Sequence, residues 1–248
     1  EHMTIATEME SPKPGWMAAT RWMPADLATM VMLVAASWFS RFRWFRHRRL
    51  RRLWLVAVVM IVGLWAGNLI SLALIAGWSA EGIAWRLAPG LAAIAAVAML
   101  VPPLRKANPY CNHLCPHGAV QQLVKPSRSS RRRAALSPSM TRRLAWIPGI
   151  TLTSAYLVLL IWPSVDLSTW EPFHAYLFRI AGWGSIALAV LSVIAAAAVP
   201  MAYCRWGCPT GRLIDYVRFS AASGRVQRAD IVAVGLLVIA IARHFIAA

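Results

Sequence analysis

The chain has 248 residues, 59% of them hydrophobic and only 14% charged, with a mean hydropathy of +0.55. Soluble globular domains run near 45–50% apolar and about 25% charged, so an ordinary water-soluble domain is excluded and lipid is the expected solvent. The formal charge of +17 would suggest nucleic acid in a soluble protein, but here the basic residues stand in short blocks between apolar runs, as membrane topology is encoded.

In chain order, Glu1-His2 reads as a cloning remnant ahead of Met3. Residues 1–23 lack the basic-then-apolar layout of a signal peptide and read as a short tail on the periplasmic side. A spanning helix needs about 20 mostly apolar residues. Segments 24–40, 53–78, 87–104, 144–163, 180–203 and 231–248 meet this well or nearly so. In the last of them Arg243 and His244 would reach for the far surface as anchors. Pro102, Pro103, Pro148 and Pro200 fall near predicted ends, where helices tolerate them better. The pattern predicts an all-α polytopic membrane bundle of about six helices, with residues 24–248 as its membrane domain.

The connections orient the bundle. Of 26 Lys and Arg, seven lie in 41–52, nine in 105–143 and five in 204–230; connections 79–86 and 164–179 hold one Arg each. Basic-rich short loops stay on the cytoplasmic side of a bacterial inner membrane, which puts both chain ends on the periplasmic side. Trp78, Trp85, Trp162 and Trp170 are expected at that outer rim as an aromatic belt.

Self-comparison shows a repeat. Tyr110 to Gly118, YCNHLCPHG, recurs as Tyr203 to Gly211, YCRWGCPTG, at an offset of 93. Trp78 precedes Cys111 by 33 residues and Trp170 precedes Cys204 by 34. Val120, Leu123 and Val124 align with Leu213, Tyr216 and Val217 at the spacing of one helix face. Each unit, about 53–125 and 144–219, is expected to be a helix from outside, a cysteine turn inside, and a short amphipathic helix along the surface. Both run the same way, so a pseudo-two-fold along the membrane normal would bring the turns face to face.

The turn has readable chemistry. Pro116 and Pro209 suit the first helical position, leaving Cys115 and Cys208 at the cap, where free N–H groups and the helix dipole favour thiolate. Gly118 and Gly211 would leave room for a bulky group. Arg105, Lys106, Arg205 and Arg212 lie beside the sulfurs in sequence, and positive charge there would offset an anionic site. All four cysteines, Cys111, Cys115, Cys204 and Cys208, belong to the two motifs. Four thiolates suit a [4Fe–4S] cluster; they would equally satisfy zinc, bind Cu(I) in an assembly protein, cycle as a thiol/disulfide redox centre, or simply pack. His113 and His117 have no counterparts in the second motif and read as hydrogen-bonding groups, with His117 a candidate to tune a cluster. His174 is a candidate quinone or haem contact. Gly63 and Gly67 fit a GxxxG packing pair.

The paired CxxxCP turns resemble the membrane core of the NosR/NapH/PceC-type ferredoxin-like proteins, over roughly residues 53–219. The resemblance implies electron transfer between a quinol or cytoplasmic donor and a periplasmic flavin or redox partner, with Cys111, Cys115, Cys204 and Cys208 as cluster ligands and Pro116 and Pro209 shaping the turns. The chain departs from that pattern in having no flavin domain and no further cysteine for a ferredoxin tail. A flavin or quinone on, or with, a partner is the expected second carrier.

Overall fold

The computed structural model describes residues 23–247 except 43, 84, 128–129, 131–133, 163–164, 178–180 and 220–222, and omits the side chains of 79–81 and 243–247. The tail and the two terminal anchors, Arg243 and His244, lie outside that description. All described elements are helical and none is a strand.

Helix α1 (Pro24–Arg41) starts on a proline, and its Asp26 carboxylate accepts from Met23 N at 3.3 Å. The same carboxylate accepts from Gly90 N at 3.1 Å, which pins the start of α4 (Pro89–Arg105) beside the start of α1. Only glycine fits there, since a Cβ on Gly90 would stand 2.8 Å from Asp26 Oδ1 and from Asn68 Nδ2.

The expected second span is interrupted. Helix α2 (Arg48–Ala57) runs into a π-helical stretch, Val58–Trp65, and the chain then opens through Gly67 at φ 65°. Ser71 restarts it, its hydroxyl accepting from Leu74 N at 3.0 Å to cap α3 (Leu72–Glu81). The averaged hydropathy of 53–78 conceals this Gly-Asn…Ser break.

After α4, a π turn (Tyr110–Leu114) leads into α5 (Pro116–Val124). Then come α6 (Pro138–Leu144), α7 (Ile147–Ile161), 3₁₀ turns at Leu167–Trp170 and Pro172–Tyr176, and α8 (Trp183–Ala198). Helices α9 (Ala202–Trp206), α10 (Pro209–Phe219) and α11 (Arg228–Ala247) complete the chain. Of the described helices, the joined run Pro138–Ile161 is long and apolar enough by itself to cross a membrane; α4 and α8 are apolar but shorter.

Helices α5 and α10 both pack into the bundle. Helix α5 packs on the π stretch and on α8, while α10 packs on α7 and α4, so each lies against the helix leading to the other motif. The buried face of α5 is Pro116, His117, Gly118, Ala119, Gln121 and Gln122, whereas Leu123 and Val124 point outward. After α7, the described residues of the next connection turn toward the core. Leu167 is buried against Leu72 and Ala155, halfway along α7, and Trp170 packs beside them. Phe173 and Tyr176 join the main core. Large apolar side chains face outward instead, including Leu27, Val31, Val34 and Trp38 on α1, Val190, Leu191 and Ile194 on α8, and seven residues of α11 from Ile231 to Ile241.

Candidate metal centre

Both cysteine turns are built alike. The incoming helix is stopped by a left-handed residue, Lys106 (φ 51°) after α4 and Met201 (φ 59°) after α8. A single turn of helix carries Cys111 or Cys204, and the second cysteine caps the next helix. Gly118 N donates to Cys115 Sγ at 3.4 Å and Gly211 N to Cys208 Sγ at 3.1 Å. The capping expected from Pro116 and Pro209 is therefore present in both turns.

All four cysteines line one cavity of about 310 Å3. That is room for about ten water molecules at their liquid volume of roughly 30 Å3, far more than a single ion needs. Among the described residues no three of His, Cys, Asp and Glu converge closely enough to hold one metal ion. Tetrahedral zinc requires four sulfurs about 2.3 Å from one point. A cavity of this size, with a pair of sulfurs from each turn on its wall, has room for a polynuclear group.

The turns also touch through a third residue. Gln121, fully buried on α5, donates from Nε2 to Cys204 Sγ at 3.4 Å, so the first half hydrogen-bonds a sulfur of the second. Backbone order around Cys111 comes from Asn108, whose side chain accepts from Cys111 N at 3.0 Å.

Burial pushes all four thiols up from their usual values; at Cys115 the N–H groups of Gly118 and His117 pull the other way. The expected shift toward thiolate is thus outweighed by desolvation. Neighbouring sulfurs raise one another further. Four thiolates here need cationic charge among them, which metal ions replacing the protons supply.

The other expected site residues fall in three groups. His117 lines the cavity, but Nδ1 lies 3.1 Å from Tyr176 Oη and Nε2 2.9 Å from Ser192 Oγ, so both ring nitrogens are committed away from sulfur. Arg205 lines the cavity and stacks over Trp206 at 4.9 Å. Arg212 is exposed and is not among the residues that line it. His174 sits in the second 3₁₀ turn, outside the cavity lining, with a buried Nδ1 lacking a hydrogen-bond partner. Gly118 and Gly211 are needed by the turns themselves. A Cβ on Gly118 would meet Cys111 O at 3.1 Å, and one on Gly211 would meet Cys208 Sγ at 3.3 Å, so the space expected for a bulky group is filled by each turn's own cysteines.

Several functional neighbours escaped the sequence reading. Tyr110 and Tyr203, whose recurrence in the repeat was itself the signal, both line the cavity. Tyr110 Oη accepts from Ile70 N at 3.1 Å, inside the helix break. Phe173 also reaches the cavity, and Glu171 binds Leu72 N and Thr210 Oγ1, next to Cys208 and Pro209. Burial pushes the Glu171 carboxyl up to about 7 despite those two donors. The string Trp170-Glu171-Pro172-Phe173-His174-Ala175-Tyr176 is rich in aromatic residues but sets no direction for the fold. On α10, Asp215 and Arg218 line the cavity as an i, i+3 pair at 3.8 Å.

No curated protein and no solved structure gives a significant match to the chain. Residues 87–133 and 181–225 each match the family model of a 4Fe-4S binding domain. Each match begins at the helix before a cysteine turn and runs past the helix after it, so the similarity recurs twice, once around each pair of sulfurs.

Proposed function

We propose that the chain is an electron-transfer protein of the bacterial inner membrane, in which Cys111, Cys115, Cys204 and Cys208 hold one [4Fe–4S] cluster between two halves related by a pseudo-two-fold. The observation that carries this reading is that the sulfurs of both turns line a single cavity. When bound, such a cluster accepts and donates one electron at a time. The chain's own residues hold it at four points from two halves, donate to its sulfurs from Gly118 N, Gly211 N and Gln121 Nε2, and exclude water by burial. A protein cage that moves little between oxidation states suits this task.

The membrane assignment rests on the outward apolar faces, the basic connections and the apolar runs. The exchanged packing of α5 on α8 and α10 on α4 supports the two-fold. On this reading the inward fold of 165–177, which brings Phe173 to the cavity, shortens the route from the centre to the periplasmic side. A quinol or cytoplasmic donor and a periplasmic flavin-binding or redox partner complete the chain of carriers, as in the NosR/NapH-type proteins that it resembles.

Anaerobic purification tests the centre. The expected result is about four iron and four labile sulfide per chain, with a broad visible band bleached by dithionite. Colourless protein with four titratable thiols would make it a dithiol redox protein, and stoichiometric zinc or copper would make it a metal-binding factor. Either would overturn the cluster. Release from membranes by alkaline carbonate without detergent would overturn the location.

A further inference from the structure

A second cavity, of about 550 Å3, opens where α1 ends and α2 begins. It is lined by Ser40, Phe45, Arg46, Arg48, Arg51 and His113, and no acidic side chain is among them. The nearest anchoring contact is to a neutral group: Arg51 Nη2 donates to Gln122 Oε1 at 2.6 Å. His113 forms part of the wall by stacking on Phe45, ring centroids 4.5 Å apart and planes 13° off parallel.

The charges here are placed against the helix. Arg48, Arg49, Arg51 and Arg52 all stand within the first five residues of α2, whose first turn has no acidic residue and whose cap His47 makes no side-chain bond to it. The N-terminal end of a helix already carries partial positive charge and favours anions. Three guanidinium groups converging on a cavity at such an end repel one another until an anion sits between them. Guanidinium forks match phosphate oxygens in pairs.

Exposed apolar side chains in the adjoining segments point to the anion's source. Trp38 and Phe42 at the end of α1, and Leu53, Val56 and Met60 in the run that follows the basic start of α2, are all exposed. A free phosphate has no use for them; acyl chains do. The hollow is the size of a headgroup, not the broad surface that a soluble acidic protein would cover. We propose that this cavity seats the phosphate of an anionic phospholipid, with its chains along α1 and α2. The inference rests on the reading of the chain as a membrane protein, though not on the cluster.

The site also touches the cysteine turn. From Arg51 the contact passes to Gln122, whose Nε2 reaches Asn112 O at 3.4 Å, and Trp54 Nε1 donates to His113 O at 2.8 Å. Both carbonyls lie between Cys111 and Cys115. An occupied cavity would hold that backbone in place.

The test uses delipidated protein in nanodiscs of phosphatidylcholine alone or with phosphatidylglycerol, with lipid retention read by native mass spectrometry. The full chain should retain phosphatidylglycerol and melt at a higher temperature in its presence. Arg46→Gln with Arg48→Gln should bind it about 30-fold more weakly, at roughly 1 kcal/mol per lost cation, while keeping its iron. Equal retention by the variant, equal stabilisation by phosphatidylcholine, or displacement of the lipid by millimolar inorganic phosphate would each overturn the proposal. Should the variant not fold, the two-lipid comparison on the unaltered chain still decides. A chain without iron that retains phosphatidylglycerol would sink the cluster alone, and a chain that leaves membranes without detergent would sink the membrane reading.

Discussion

Around Cys111 and Cys115 the supporting groups are polar and each makes a hydrogen bond across the bundle; around Cys204 and Cys208 two of the three matching positions are apolar or unpaired. Tyr110 accepts from Ile70 N, whereas its counterpart Tyr203 has a buried hydroxyl without a partner. His117 bridges Tyr176 and Ser192, where the second half has Thr210 bound to Glu171. Gln121 reaches across to Cys204, where the second half has Ile214, fully buried and apolar. Only the parts that set the sulfurs are shared: the left-handed stop, the capping cysteine, the proline and the glycine. Positioning a ligand tolerates little change, while the surroundings that tune it can diverge.

The largest effect should come from breaking the shared part. Cys111→Ser and Cys204→Ser should each remove essentially all iron, because one centre draws on both turns. Retention of half the iron in either variant would mean two separate sites and would end the comparison between halves of a single centre. A smaller effect should follow from the asymmetry. Gln121→Leu removes a hydrogen bond to Cys204 Sγ and should lower the reduction potential, since donors to cluster sulfurs stabilise the more negative reduced state. Ile214→Leu, at the matching position, should leave the potential unchanged. Redox titration of both variants separates tuning from packing, and an unchanged potential in Gln121→Leu would show the cross-contact to be inert.

The smallest effect concerns pH. Glu171, raised from 4.5 to about 7 by burial, keeps a proton in the folded chain that the unfolded chain gives up. Its stabilising contribution is complete below about pH 4.5 and is lost as pH rises through about 7. Glu171→Gln should flatten the fall in thermal midpoint across that range. An identical slope in the variant would place the titrating group elsewhere.

The repeat was the most legible feature of the sequence. YCxxxCPxG written twice led to the capped turns and the cavity, because a proline at a helix start and a cysteine before it have one local solution. Long apolar runs also marked α1, α4, α7, α8 and α11 to within about five residues. What stayed hidden was long-range. Gly67, Asn68 and Ser71 mark the break before α3, but a hydropathy average passes over three residues. Glu171 and Phe173 reach the site from a connection some 35 residues before Cys204 and Cys208, and nothing local in Glu171-Pro172-Phe173 says which way the loop folds. The buried face of α5 was unreadable for a related reason: its small and polar residues turn inward against the π stretch and α8, contacts that no local pattern encodes.

The crossed packing of the two halves has a consequence for how the protein is made. As the nascent chain leaves the ribosome, α5 is complete nearly 60 residues before Trp183 opens the helix it must lie against. Helix α4 waits longer still for α10. Until Cys204 and Cys208 have been made, the first pair of sulfurs has no matching pair and no finished wall. Iron delivered early would find half a cradle, so assembly of the inorganic centre belongs after synthesis, when one folding event closes both halves at once.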